Sequence, residues 1–143
     1  MGGMAIQAVK LAALLEGAGY RVLCVRTNTD FPAALAFVQK IPGLRTLVNS
    51  LLFLLHLHGA ARQADVVYFL TGFFNFFFWI TFPALILCKL AGIPVILSAR
   101  GGGAADFFAR YKPLLASLMR RVERITTPSG FLQQAFVDAF AIT

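Results

Sequence analysis

A chain of 143 residues has the length of one ordinary domain, and its apolar share of 59% exceeds the roughly 45–50% of typical soluble domains. Its mean hydropathy of +0.76 requires either membrane-spanning helices or an α/β core whose parallel strands are buried on both faces. Neither pairing nor metal spacing relates the two cysteines, which excludes a disulfide framework. Cys24 and Cys88 are therefore predicted to be small buried hydrophobes in a reducing compartment.

The net charge of +7 favours anionic partners, but charge alone does not choose between nucleic acid, an anionic membrane surface and phosphorylated small molecules. Basic residues concentrate towards the C-terminus, at Arg100, Arg110, Lys112, Arg120, Arg121 and Arg124. The residues near Arg120 form either a solvated helix face or a surface that attracts anionic lipid.

The first predicted element is an apolar helix over residues 5–15, which opens after Gly2-Gly3 and ends at the glycines of 17–19. In α/β folds such a glycine loop brings the positive end of a helix to the carboxyl edge of the sheet. Residues 20–25 have the β-rich composition of a strand. An irregular stretch then precedes an apolar helix over 44–61 and a strand over 65–70.

The phenylalanine-rich stretch over 73–90 has two interpretations. At about 18 residues, with Lys89 as its single charge, it is on the threshold for spanning a bilayer. Asn75 and Pro83 interrupt it, however, and strand-like apolar runs flank it, as an α/β core requires. A small integral membrane protein, in which 48–57 and 73–90 insert, is the alternative to an α/β enzyme.

The most distinctive stretch is 94–103, where a β-branched apolar strand leads into Arg100, Gly101, Gly102 and Gly103. Glycines permit positive φ and a close approach of the backbone to a bound group, while Arg100 and the backbone N–H groups present positive charge. The pattern predicts a cradle for an anion or a polar sugar. A plain flexible turn is the alternative.

After this turn the sequence predicts a helix over 111–122, a short strand over 124–127 and a last helix over 131–140 with Ser129 as its N-cap. Strands and helices alternate throughout. This order predicts a doubly wound α/β fold with a mostly parallel, Rossmann-like sheet and helices on both faces. Ligands of such sheets bind outside the carboxyl ends of the strands, where we expect these turns to converge: 2–3, 71–72, 100–103 and 128–129.

Four segments, taken in order, resemble the N-terminal domain of family 4 glycosyltransferases with the two-domain GT-B architecture. They are the Gly2-Gly3-Met4 loop that opens a helix, the ADVVYF strand at 64–69, the GIPVILS strand at 92–98 with its Arg-Gly-Gly turn, and the RITTPSGFLQQAF segment at 124–136. The resemblance covers nearly the whole chain. Its specificity comes from the order and spacing of the motifs rather than from any one of them.

The resemblance implies retaining transfer of a sugar from a nucleotide-diphosphate sugar to a glycan or lipid-linked acceptor, as in polysaccharide biosynthesis. It implies neither a cofactor nor a metal, since the nucleotide sugar is a substrate, and no nucleic acid partner. The expected location is cytoplasmic, peripheral on the inner face of the plasma membrane. A nucleotide-binding ATPase is a third interpretation with little support, because no Gly-x-x-x-x-Gly-Lys-Ser/Thr motif occurs and the glycine run lacks its lysine.

Carried over by this resemblance, Gly2 and Gly3 correspond to the glycine loop that faces the interdomain cleft. Arg100, Gly101 and Gly102 correspond to a turn that often carries a histidine followed by glycine. Arginine at the histidine position keeps a cationic hydrogen-bond donor there but supplies no general base, because it stays protonated. No catalytic residue is therefore assigned.

The remaining site assignments leave alternatives open. Arg100 is expected to contact phosphate or acceptor, or to form a salt bridge with Asp106 or Glu123. Asp106 is either an acceptor contact or a solvated residue that caps locally, and Ser129 is a further expected substrate contact. Residues 1–143 are interpreted as one partial N-terminal domain. The strand expected before Gly2 and the C-terminal nucleotide-sugar-binding domain are not in this sequence, so this fragment alone is expected to be inactive.

Overall fold

The computed structural model of the chain describes residues 3–29, 31, 37–38, 40–119 and 122–141. The described residues form an α/β fold of three β-strands, five α-helices and one π-helical turn, π1. In chain order these elements are α1 (Gly3–Gly17), α2 (Pro42–Ala61), β1 (Val67–Thr71), π1 (Phe77–Thr81), α3 (Phe82–Leu90), β2 (Val95–Ala99), α4 (Ala104–Met119), β3 (Arg124–Thr126) and α5 (Gly130–Phe140).

The three strands form a parallel sheet in sequence order, with β2 at its centre. Val67 pairs with Val95 at the start of the β1–β2 ladder, and Ser98 pairs with Thr126 where β2 meets β3. Parallel neighbours cannot be joined by a tight turn, so π1 with α3 forms one crossover and α4 forms the other. The α/β class with a parallel, Rossmann-like sheet, predicted from the alternation of elements, is confirmed.

One face of the sheet carries the hydrophobic core. Side chains alternate between the two faces along a strand, and those that point to the core face are buried: Phe69, Thr71, Val95, Leu97 and Ala99. The ring of Phe53 in α2 lies 6.1 Å from that of Phe69, measured between centroids. Helix α2 therefore covers this face of β1.

Hydroxyl groups attach π1 to the sheet and to α2. Thr71 Oγ1 lies 2.6 Å from Thr81 Oγ1, both residues are buried, and Thr71 Oγ1 also donates to the Gly72 carbonyl at 2.8 Å. Thr81 is thus the donor between the two threonines. Ser50 of α2 donates to the Trp79 carbonyl within π1. These bonds hold the β1–π1 connection in one position at the carboxyl end of β1.

The phenylalanines of 73–82 form an aromatic core. Phe107 of α4 is fully buried, with its ring centroid 5.1 Å from Phe77, 5.4 Å from Phe74, 5.5 Å from Phe73 and 5.7 Å from Phe78. The apolar density of this stretch thus packs π1 and its preceding loop against α4. In the part of the chain that the structure describes, no helix is both long and apolar enough to cross a membrane.

The strand predicted over residues 20–25 is wrong, because these residues run as irregular chain. A strand needs a neighbour for its ladder of hydrogen bonds, and among the described residues β1 pairs with β2 alone. The residues that follow are held near α2, where the Asn49 side chain donates to the Thr27 carbonyl at 2.8 Å and accepts from the Thr29 N–H at 2.9 Å. Cys24, predicted to be buried, is exposed, whereas Cys88 is buried as predicted.

Helix α4 begins at Ala104, seven residues before the start that the sequence predicted at Tyr111. Pro113 lies inside this helix, where a proline is usually disfavoured. The burial of Ala104, Phe107 and Phe108 stabilises its first two turns. The early start matters for function, since it brings the helix N-terminus directly after the glycine turn.

Candidate functional site

The carboxyl ends of the three strands lie along one edge of the sheet, because the strands are parallel and adjacent. Gly72 follows β1, Arg100 follows β2 and Thr127 follows β3. The expected convergence of the turns at 71–72, 100–103 and 128–129 is therefore a consequence of the topology. We call this region the carboxyl edge.

The turn over 100–103 leaves β2 in a conformation that needs glycine. The Arg100 N–H donates to the Thr71 carbonyl at 2.8 Å, which extends the β1–β2 ladder by one residue. Gly101 and Gly103 then have φ values of +102° and +82°. A Cβ at Gly103 would lie 3.1 Å from the ring of Phe74, so that position has neither the conformation nor the space for a side chain. The turn is a fixed structure on the aromatic core.

Four polar side chains lie together on the sheet face opposite the core. They are Tyr68 of β1, Ser98 of β2, Thr126 of β3 and Arg100, and we call them the edge cluster. The Arg100 Nε donates to Ser98 Oγ at 3.1 Å, and the Tyr68 and Thr126 hydroxyls are 3.4 Å apart. Ser98 is fully buried, whereas Tyr68 is exposed and Arg100 is half-buried. A buried hydroxyl group thus holds the Arg100 side chain, which is itself still partly accessible to solvent.

The edge cluster changes the ionisation of its tyrosine. Burial raises the pKa of Tyr68, but the hydrogen bonds within the cluster, that with Ser98 the largest, and the positive charge of Arg100 outweigh this effect. The pKa of Tyr68 is therefore lower than its ordinary value. The same positive potential would favour an anionic group of a ligand at this place.

We expect Arg100→Ala to raise the pKa of Tyr68, because one hydrogen bond and the nearby charge are lost. Tyrosinate absorbance against pH, with the Tyr68→Phe curve subtracted, measures this pKa. Because folding lowers the pKa of Tyr68, ionisation of this side chain contributes to stability. The contribution is complete above the unfolded pKa of about 10 and is lost as the pH falls through the folded pKa. Arg110→Ala is the matched control, because the Arg110 guanidinium lies over Tyr111 instead, 5.7 Å from the ring centroid. An unchanged Tyr68 titration in Arg100→Ala would contradict the coupling.

The N-terminus of α4 adds a second positive element to the carboxyl edge. Phe107 N–H donates to the Gly103 carbonyl at 3.0 Å, so the helix is wound directly onto the glycine turn. The first N–H groups of a helix have no partner within the helix, and its dipole favours negative charge there. Asp106 is exposed in this first turn, where its carboxylate has a favourable interaction with the dipole. Arg100 bonds to Ser98 in the described structure, not to Asp106 or Glu123.

The other predicted site residues are placed differently. Ser129 caps α5, because its Oγ accepts from the Leu132 N–H at 3.4 Å, as the sequence predicted for this position. Gly3 begins α1, a helix with no buried residue, and a methyl group at Gly3 would meet nothing within 4 Å. Gly2 lies outside the described residues, as do Arg120 and Arg121. Arg100, Gly101, Gly102 and Asp106 therefore lie on the glycine turn and the first turn of α4, whereas Ser129 caps α5.

Three members of the edge cluster were not predicted from the sequence: Tyr68, Ser98 and Thr126. Ser98 is the one polar residue of β2, and Tyr68 and Thr126 carry hydroxyl groups in the neighbouring strands, which is the available sequence signal. The pairing Ser98↔Thr126 and the alternation of faces place them on one side of the sheet. Among the described residues, no group of three or more His, Cys, Asp or Glu side chains could hold a metal ion.

Comparison with known proteins identifies the family to which this arrangement belongs. The sequence model of Glycosyltransferase Family 4 matches the chain over residues 1–143. The chain belongs to glycosyltransferase family 4. No curated protein and no solved structure matches it significantly.

Membership of glycosyltransferase family 4 confirms the resemblance stated from the motifs at 64–69, 92–98 and 124–136. It identifies the chain as a transferase-family domain with a sugar acceptor and a nucleotide-sugar donor as the general substrates of the family. In a glycosyltransferase the edge cluster can contribute hydrogen bonds and positive charge. Arg100 is a cationic hydrogen-bond donor and is not suited to act as a general base.

Proposed function

We propose that this family 4 glycosyltransferase transfers a sugar from a nucleotide-diphosphate sugar to a glycan or lipid-linked acceptor, with retention of anomeric configuration. The observation that supports the proposal is the placement of Arg100. It combines a buried hydrogen-bond partner, Ser98, with two glycines of positive φ and the N-terminus of α4. All three features favour a ligand that is anionic or rich in hydroxyl groups.

In the proposed reaction Arg100 contacts a phosphate of the donor or a polar group of the acceptor. A methyl group at Gly101 or Gly102 would meet nothing within 4 Å, so the space beside the backbone is open there. That group of the ligand can therefore approach the backbone. Asp106 lies in the first turn of α4 and would accept hydrogen bonds from acceptor hydroxyls. Ser129 and the glycines at 2–3 stay predictions for substrate contact.

Family membership also supports the two-domain arrangement proposed from the motifs. In that arrangement residues 1–143 form the acceptor-side domain, and a second domain binds most of the nucleotide. The carboxyl edge would then be one wall of a cleft. We propose that the chain of 143 residues by itself does not catalyse transfer, and that the enzyme acts at the cytoplasmic side of a membrane, where lipid-linked precursors of polysaccharides are available.

A transfer assay tests the proposed function. The complete gene product that contains this chain would be incubated with labelled nucleotide-diphosphate sugars, each in turn, and with a lipid extract or a glycan mixture as acceptor. We expect label from at least one donor to enter an acceptor, and nuclear magnetic resonance of the product to show the anomeric configuration of the donor. The 143-residue chain alone is expected to give no product. Inverted configuration would contradict retention, and no transfer from any donor would contradict the function.

A further inference from the structure

The edge cluster is rich in hydrogen-bond donors and poor in acceptors. Arg100 can only donate, and the acceptors within the cluster are the hydroxyl oxygens of Tyr68, Ser98 and Thr126. In the described part of the chain the side-chain hydrogen bonds of these residues run to one another, and none reaches a carboxylate or a backbone carbonyl. The cluster therefore has more donors than it can pair internally. The group that complements it accepts hydrogen bonds and carries negative charge.

The Arg100 side chain turns back over the sheet face opposite the core. Its Nε donates to Ser98, two residues earlier in the chain, and Ser98 is fully buried and thus a fixed support. Arg100 also acts on the Tyr68 hydroxyl through both a hydrogen bond and its charge, so the guanidinium lies beside the phenol oxygen. The two side chains therefore present donors at one place, on the side of the carboxyl edge that faces away from the core.

This place is open to a ligand and is not explained by packing. Tyr68 is 37% exposed, and Arg100 is half-buried. The other residues of β1 and β2 on this face, Leu70 and Ile96, are apolar and half-buried. A charged side chain beside apolar neighbours loses part of its hydration, which an apolar residue at the same position would avoid. A bound anion would offset that cost.

We propose that Tyr68 is a substrate contact, and that its hydroxyl and the Arg100 guanidinium together bind one phosphate group of a substrate. This contact presupposes the proposed function and narrows the partner of Arg100 to a phosphate, which accepts several hydrogen bonds and matches a guanidinium in geometry and charge. Thr126, whose hydroxyl is 3.4 Å from that of Tyr68, would hold the phenol in place. A nucleotide-diphosphate donor and a lipid-linked acceptor both carry phosphate, and the experiment distinguishes them.

Calorimetric titration with phosphate compounds tests the contact. The complete gene product would be titrated with inorganic pyrophosphate, with uridine and guanosine diphosphates as donor fragments, and with geranyl phosphate as an acceptor fragment. Uridine, guanosine and geraniol are the counterparts without phosphate. The test variant is Tyr68→Phe, which removes only the hydroxyl group. The matched control is Tyr20→Phe, whose side chain is 66% exposed outside the edge cluster. Circular dichroism confirms that both variants are folded.

We expect the wild type and Tyr20→Phe to bind the phosphate compounds alike, and Tyr68→Phe to bind at least one of them about tenfold more weakly. A loss confined to the nucleoside diphosphates would assign the phosphate to the donor, and a loss confined to geranyl phosphate would assign it to the acceptor. Unchanged affinity of Tyr68→Phe for every phosphate compound would overturn the proposal. An equal loss for the compounds without phosphate, or a wild type that binds no phosphate compound, would overturn it as well.

The ionisation of Tyr68 separates direct contact from a purely structural role. A phosphate beside the hydroxyl disfavours tyrosinate, so a saturating phosphate compound that does not absorb, pyrophosphate or geranyl phosphate, should raise the pKa of Tyr68. An unchanged Tyr68 titration would overturn the direct contact.

Sugar transfer by the wild type, measured separately, keeps this inference distinct from the proposed function. Transfer by the wild type together with unchanged phosphate affinity in Tyr68→Phe would overturn the contact alone. Phosphate binding that depends on Tyr68 in a protein without transfer activity would support the contact and contradict the function.

Discussion

Replacement of Phe107 by alanine is expected to lower the free energy of unfolding by about 3–5 kcal/mol. The side chain is fully buried, and its ring contacts the aromatic rings of both π1 and α4. Its removal would leave a cavity between these elements, because the surrounding rings belong to separate helices and can close the gap only in part.

Urea-dependent hydrogen exchange at the amides of β2, the central strand, measures this change. Exchange at these amides reports on this domain even within a longer protein. Phe131→Ala is the matched control. That ring is largely exposed on α5, so the expected change is within about 0.5 kcal/mol. A loss below about 1 kcal/mol for Phe107→Ala would contradict the assignment of the phenylalanine-rich stretch to the core.

Replacement of Arg100 by alanine is expected to lower kcat/KM for sugar transfer by about 10²–10³-fold in the complete gene product. The variant loses a cationic hydrogen-bond donor that Ser98 and the adjacent glycine turn hold in place. Arg100→Lys should recover part of the rate, because the charge remains while the planar set of donors is lost. The fold should be unchanged, since the Arg100 side chain is only half-buried.

Arg124→Ala is the matched control for Arg100→Ala. Arg124 is also basic and close to the sheet, but it begins β3 and therefore lies at the opposite edge from the carboxyl ends. We expect its kcat/KM to stay within about twofold of the wild-type value, as for surface substitutions away from a site. Equal losses in the two variants would indicate a general effect of charge, and unchanged kinetics in Arg100→Ala would remove this residue from the site.

The sequence predicted the strands and the order of elements well, for a physical reason. The runs that became β1 and β2 are largely apolar and rich in β-branched residues, and all three strands are followed at once by turns that contain glycine or proline. The positive φ values of Gly101 and Gly103 likewise follow from the glycine run. Residues 20–25 are also rich in β-forming residues but have no strand beside them. Composition indicates a preference for extended chain, not the presence of a partner strand, and this is why the prediction was wrong.

The limits of α4 and the edge cluster could not be predicted in the same way. Helix α4 starts at Ala104 because Phe107 and Phe108 are buried against rings that lie about 30 residues earlier in the chain, which no local pattern contains. The hydrogen bond between Arg100 and Ser98 depends on side chains two residues apart on one strand, and Tyr68 reaches Thr126 across the whole sheet. Strand order and register had to be known first.

The proposed function requires that the carboxyl edge, with Arg100 and the glycine turn, bind the reacting substrates. Hydrogen exchange of the complete gene product, with and without the nucleotide sugar and acceptor that it uses, measures this binding. We expect slower exchange at the amides of 101–107 when both substrates are bound, no change along α2, and loss of the effect in Arg100→Ala. Unchanged exchange at 101–107 under saturating substrates, or the same protection in Arg100→Ala, would contradict it.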